Sequence, residues 1–150
     1  GVVIIVLTDR DVVKGKIPMH AALATGAVHQ RLIEDGWRCD CNIIVETGTA
    51  RDSHHFAVLL GLGTTAVYPY LAFQVINDLH ARGAIKGNLL KHRKNYRRGV
   101  RKGLLKVLSK MGISCVASYR GAQLFEALGL GSEVTALLPG RERQYRGCRF

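Results

Sequence analysis

The chain has 150 residues, 47% hydrophobic and 7% aromatic, with 22 Lys and Arg against 11 Asp and Glu, a net charge of +11. That apolar fraction excludes a disordered chain, which cannot bury enough surface to offset its ordering entropy. Glycine and proline without a repeating period exclude a collagen-like chain, and the length suits one domain or one domain plus part of a second.

Val2 to Leu7 reads as a fully buried strand that ends at the polar Thr8-Asp9-Arg10-Asp11. The run is far short of the about 20 apolar residues a membrane span needs, and it lacks the basic region and cleavage site of a signal peptide. A strand beginning at Gly1 reads as part of a fragment or a processed piece. Pro18 suits a helix N-terminus, and Leu23, Ala27, Val28, Leu32 and Ile33 give a helical stripe over Met19 to Glu34, stopped by Asp35-Gly36. Asn42 to Glu46 is a second strand. Asp52 or Ser53 caps a helix that ends at Gly61-Leu62-Gly63. Thr65 to Tyr68 is a third strand, and Tyr70 to Arg82 a third helix with Leu71, Val75, Ile76 and Leu79 inward. Alternating apolar strands and helices predict an α/β fold, a parallel sheet covered on both faces.

The texture changes after Arg82. Residues 83–110 read as a linker and a basic helix with Val100, Leu104, Leu105 and Leu108 on its buried side. Lys110 to Val116 reads as a short strand and Tyr119 to Leu128 as a helix, the first unit of a second α/β element over 111–134. Residues 135–150 follow neither period and are expected to be disordered, or the product of a frameshift.

The charge is local. The first ninety residues hold eight basic and eight acidic residues, whereas 91–110 hold nine basic and no acidic ones. Such a window fits a nucleic-acid-binding module centred on 91–110, or a solvated helix beside acidic neighbours. Tyr96 is the only ring in it, so base stacking has little to work with.

Motifs for chemistry are sparse. Cys39, Cys41, Cys115 and Cys148 lack metal-ligand spacing and read as reduced thiols in a cytosolic core. His54 and His55 point about 100° apart on a helix, so with Glu46 and Asp52 they read as caps or core-edge residues, not metal ligands. His20 and His29, nine apart, are no metal pair. Gly61-x-Gly63 lacks a third glycine and precedes a strand, so it is no dinucleotide fingerprint. Ser109 to Ser114 is the better candidate. Small polar residues there, with Gly112 allowing close backbone approach and Lys110 and Arg120 as partners for an anion, fit a ligand site.

Two long runs carry a resemblance: Lys102 to Ser114, and Ala117-Ser-Tyr-Arg-Gly-Ala-Gln-Leu-Phe-Glu-Ala-Leu-Gly-Leu130. Upstream, Leu7-Thr-Asp-Arg10, Ile17-Pro-Met-His-Ala-Ala-Leu23, Val45-Glu-Thr-Gly48, His54-His-Phe-Ala57 and Tyr68-Pro-Tyr-Leu-Ala72 follow in matching order. The chain resembles glutamate synthase large chains, most of all the bacterial NADPH-dependent form. The resemblance implies the end of the central domain over 1–82, a connecting helix over 83–110 and the start of a TIM-like FMN barrel over 111–134. It also implies a cytoplasmic enzyme that makes glutamate from glutamine-derived ammonia and 2-oxoglutarate, by FMN-dependent reduction of 2-iminoglutarate. Electrons would arrive through a 3Fe–4S cluster from a small subunit that binds NADPH and FAD. Carried onto this chain, it places Ser109, Lys110, Met111, Gly112, Ser114, Arg120 and Gln123 near FMN or 2-oxoglutarate, with no catalytic residue or cluster cysteine among residues 1–150. Cys115 stands where the family usually has Thr. The chain alone is expected to be inactive and to bind no cofactor tightly.

Overall fold

The computed structural model describes residues 3–126, 128–136 and 138. Three strands, β1 (Ile4–Thr8), β2 (Asn42–Glu46) and β3 (Ala66–Tyr68), alternate with helices α1 (Ala21–Glu34), α2 (Ser53–Gly61) and α3 (Tyr70–Ala81). A long helix α4 (Leu89–Lys110) follows, then two single turns, α5 (Val116–Tyr119) and α6 (Ser132–Thr135). The strands pair in parallel in the order β1-β2-β3, with Val6 opposite Ile44 and Ile44 opposite Ala66.

Because strand order follows chain order, two right-handed crossovers put α1 and α2 on the same face. The burial agrees. Ile43 and Val45 are fully buried against Ala21, Ala50, Phe56 and Leu59, with Leu7, Val67, Val100 and Leu104 around them. The other face is bare among the described residues: Ile4 is 56% and Val6 55% exposed. The expectation of a sheet covered on both faces is thus corrected, because helices reach the second face only where the strand order reverses. β1 is accordingly half exposed, not fully buried.

Local chemistry explains the helix ends. Asp52 opens α2 by accepting the amide hydrogens of His54 and His55 at 2.9 and 3.1 Å, and Asn88 does the same for α4. The residue after the cap is glycine at Gly36, Gly63, Gly83 and Gly112, each with positive φ. Trp37, Thr64, Ala84 and Ile113 then donate their amides back to Leu32, Leu59, Leu79 and Leu108. Four helices stop by this same paired turn.

Several expectations change. α1 starts at Ala21 with His20 as its cap, Nδ1 accepting from Ala22, and not at Pro18. Its deepest residues are Ala21, Thr25, Gly26 and His29, while Ile33 is exposed. On α3, Leu71, Val75 and Leu79 face outward; Phe73 and Asn77 instead meet Tyr96 and Arg93 of α4. Leu105 of α4 is exposed.

Lys110 to Val116 is not a strand. Met111 caps α4, and the amide of Ile113 is committed to Leu108 at 2.9 Å, so it cannot join a ladder. The helix expected over Tyr119 to Leu128 is replaced by α5 and irregular chain up to Glu126. Cys41 is buried, but Cys39 and Cys115 are exposed rather than in the core. Of the tail expected over 135–150, all but Thr135, Ala136 and Leu138 lies outside the described residues, as does Cys148; Leu138 packs on Leu62.

Candidate functional site

Parallel sheets place ligands beyond the carboxyl ends of their strands, and here that edge is densely bonded. Asp9, just past β1, accepts from the Thr47 hydroxyl at 2.5 Å and the Gly48 amide at 3.0 Å, tying the β1 and β2 loops together. Thr8 donates to Glu46 at 2.9 Å, and Arg10 pairs with the same carboxylate at 2.8 Å. The Arg10 guanidinium lies over the Tyr70 ring, 4.8 Å from its centre. Burial first, then the Asp9 carboxylate, pushes the Tyr70 phenol above its usual range, so it stays protonated.

Beside this edge runs a cleft of about 650 Å³ with His20, Thr49, Arg51, His54 and His55 among its lining residues. The two adjacent histidines are explained without a ligand, because both amides cap on Asp52 and His55 Nδ1 lies 3.7 Å from its carboxylate. Those amides, His55 first, hold the Asp52 carboxyl below its usual range. No group of three or more His, Cys, Asp or Glu able to hold a metal ion occurs among the described residues.

The opposite edge holds a knot that periodicity does not reveal. Arg38 donates from Nε to His29 Nδ1 at 2.7 Å, and from its two Nη groups to the carbonyls of Cys41 at 2.7 Å and Gly63 at 2.6 Å. One side chain thereby ties α1 to the chain entering β2 and to the turn entering β3. Burial first, then the charges of Arg38 and Arg120, hold the His29 imidazole below its ordinary value of 6.5. The geometry concurs, since only an unprotonated Nδ1 accepts from Arg38. A depressed imidazole contributes stability that is complete above pH 6.5. It is lost as the pH falls below that value, because the unfolded chain takes up a proton the folded one refuses. Urea unfolding from about pH 7.5 down to about pH 5 is expected to show this decline, and a shallower one in His29→Gln.

The seven residues singled out from sequence are split between two places. Ser109, Lys110, Met111 and Gly112 form the last turn and cap of α4, and Ser114 lies in the exposed chain after it. Gly112 is required by the helix stop itself, with φ +67° and its amide on Ser109 at 3.1 Å. Arg120 and Gln123 belong to the irregular segment that docks on α2 through the Gly121 amide and the Gly61 carbonyl at 2.8 Å. α4 runs alongside α2 in the same direction. Tyr96 bonds Arg51 and Ser53 bonds Val100, at the start of α2 and the middle of α4, while Leu60 lines one cavity with Leu104 and Leu108 farther on. The end of α4 therefore emerges at the amino edge of the sheet, away from the cleft.

Among the described residues the seven fall into two separate groups, one at the end of α4 and one on the chain after α5. The cavity beside them, about 150 Å³, has an apolar lining that includes Leu60, Leu105, Leu108, Val116 and Tyr119 and none of the seven. Pockets for drug-sized ligands run from about 300 Å³ upward.

The architecture defines an α/β segment whose one-sided sheet leads into a long connecting helix. The glutamate synthase central domain family model matches residues 1–131, so the chain belongs to that family. It is 38% identical over 162 residues to an NADH glutamate synthase of Saccharomyces cerevisiae, covering all of this chain and 7% of that protein. It is 42% identical to the NADPH glutamate synthase large chain of Bacillus subtilis, over 89% of this chain and 9% of that one. It is 44% identical to a ferredoxin-dependent glutamate synthase of Pyropia yezoensis, over 89% of this chain and 10% of that one. The chain thus corresponds to a segment of glutamate synthase large chains and spans about a tenth or less of these relatives. Their names carry three different electron donors, so the likeness to the NADPH form does not single one out. No helix among the described residues is long and apolar enough to cross a membrane.

Proposed function

We propose that the chain works as part of a cytoplasmic glutamate synthase, closing its central domain and leading through α4 toward the flavin domain. In that reading the whole enzyme makes glutamate from glutamine-derived ammonia and 2-oxoglutarate. FMN, when bound, supplies the hydride that reduces 2-iminoglutarate. A 3Fe–4S cluster and a small NADPH- and FAD-binding subunit deliver electrons from outside this chain. Residues 111–134 begin the FMN barrel, and Ser109, Lys110, Met111, Gly112, Ser114, Arg120 and Gln123 supply one edge of its site. The match of the central domain family to residues 1–131 is the observation that carries membership in the enzyme, and the start of the flavin domain over 111–134 rests on the resemblance of the runs from Lys102 to Leu130 alone.

The chain's own contribution is positional. The Schellman turn at Gly112 fixes where α4 ends, and so where Lys110 and Met111 project. The Gly121 amide anchors the second segment, with Arg120 and Gln123, on the end of α2.

Grafting residues 1–131 into the Bacillus subtilis large chain, in place of the matching segment, is expected to leave glutamate synthesis within about tenfold of the parent. A folded chimera without activity overturns the reading. For the chain alone, a flavin titration is expected to show no saturable binding at micromolar FMN; stoichiometric binding there overturns the incomplete-site part of it.

A further inference from the structure

Helix α4 carries nine Lys and Arg and no acid, and none of the ion pairs among the described residues involves it. Lys91, Lys94, Arg98, Arg101, Lys102 and Lys106 are exposed and, at helical spacing, share an arc of about 140° along a helix about 33 Å long. Like charges three and four apart repel, so this face is held against its own electrostatics. It is not purely polar. Leu105, 53% exposed, lies within the arc toward the C-terminal end of the helix, and exposed Leu90 lies just beside the arc at the N-terminal end. Beside it a groove of about 340 Å³ joins Lys94 and Arg97 to Tyr68, Tyr70 and Phe73.

That mixture decides the class of partner. Arginine and aromatic side chains are enriched at protein interfaces, and here Arg97, Arg98 and Arg101 stand near Tyr68, Tyr70, Phe73 and Leu105. Stacking of nucleic-acid bases needs exposed rings on the helix, and Tyr96 is turned inward. Its ring meets Phe73 edge-on at 5.7 Å and its hydroxyl donates to Arg51 at 3.0 Å. A second copy of this chain brings the same positive helix, with no acidic residue on it.

We propose that the outer face of α4, with its flanking groove, docks an acidic amphipathic polypeptide segment, carboxylates meeting the Lys and Arg rows and apolar side chains covering Leu105 and Leu90. The surface is independent of any flavin contact at the helix end.

Fluorescence anisotropy on the full chain at about 150 mM salt tests this with three labelled probes of about 20 units, enough to lie along the helix. They are a Glu/Leu amphipathic peptide, a Glu/Ser peptide of equal charge and a mixed-sequence RNA. The Glu/Leu peptide is expected to bind at least about tenfold tighter than either other probe. Arg98→Gln/Arg101→Gln and, separately, Leu105→Asn are each expected to weaken it by about tenfold with the circular dichroism unchanged. RNA binding as tightly as the Glu/Leu peptide, equal binding of the two peptides, or unaltered affinity in the variants overturns the proposal.

Discussion

Gly63→Ala is expected to destabilise the fold by about 3 kcal/mol or more. Gly63 has φ +110°, a conformation that an L-residue adopts only under strain, and it is the glycine that stops α2. A Cβ built there clashes with the His29 ring, three of whose atoms lie within 2.8 Å of it. The ring cannot simply turn away, because it accepts from Arg38, which also holds the Gly63 carbonyl. The methyl therefore breaks a helix stop and a three-way tie at once. Urea unfolding checks this through a lowered midpoint at unchanged slope.

The second large effect is a pair of opposite sign on one helix. Gly99 and Gly103 lie a turn apart in α4, and glycine inside a helix ordinarily costs about 1 kcal/mol against alanine. At Gly99 nothing lies within 4 Å of an added Cβ, so Gly99→Ala is expected to stabilise by about 0.5–1 kcal/mol. At Gly103 the added methyl overlaps the Ser53 side chain down to its own Cβ, so no rotamer change relieves it. α4 must move off α2, opening the contact of Val100 and Leu104 with the core. Gly103→Ala is expected to lose about 1–2 kcal/mol net, the overpacking outweighing the gain in helix propensity. Both variants are read by the same urea titration, and two shifts of one sign contradict the close approach of α4 to α2.

Much of the fold was legible because its signals are local. β2 falls where the apolar run puts it, and Asp52, Gly36 and Gly63 act as cap and stops. What escaped depends on partners distant in sequence. Thr25 and His29 look polar, yet they are the buried side of α1, since Thr25 donates to Ala21 at 2.7 Å and His29 accepts from Arg38. Hydropathy cannot register a polar residue whose bond is internal. Leu71, Val75 and Leu79 follow a helical period but have nothing to cover them among the described residues. Ile113 to Val116 has strand-like composition, and the helix stop claims its first amide. The candidate site was legible only as residue types; that Ser109, Lys110, Met111 and Gly112 form a helix end while Arg120 and Gln123 sit on a separate segment required the structure.

The repeated helix stop has a consequence for how the segment is assembled. Each of these C-termini is encoded within about six residues and closed by backbone bonds alone, so the position of each stop does not depend on long-range contacts. Changes in what surrounds the segment then alter how its helices are covered, not where they end. Side chains near a stop, Lys110 and Met111 among them, keep their phase around the helix axis whatever docks against them.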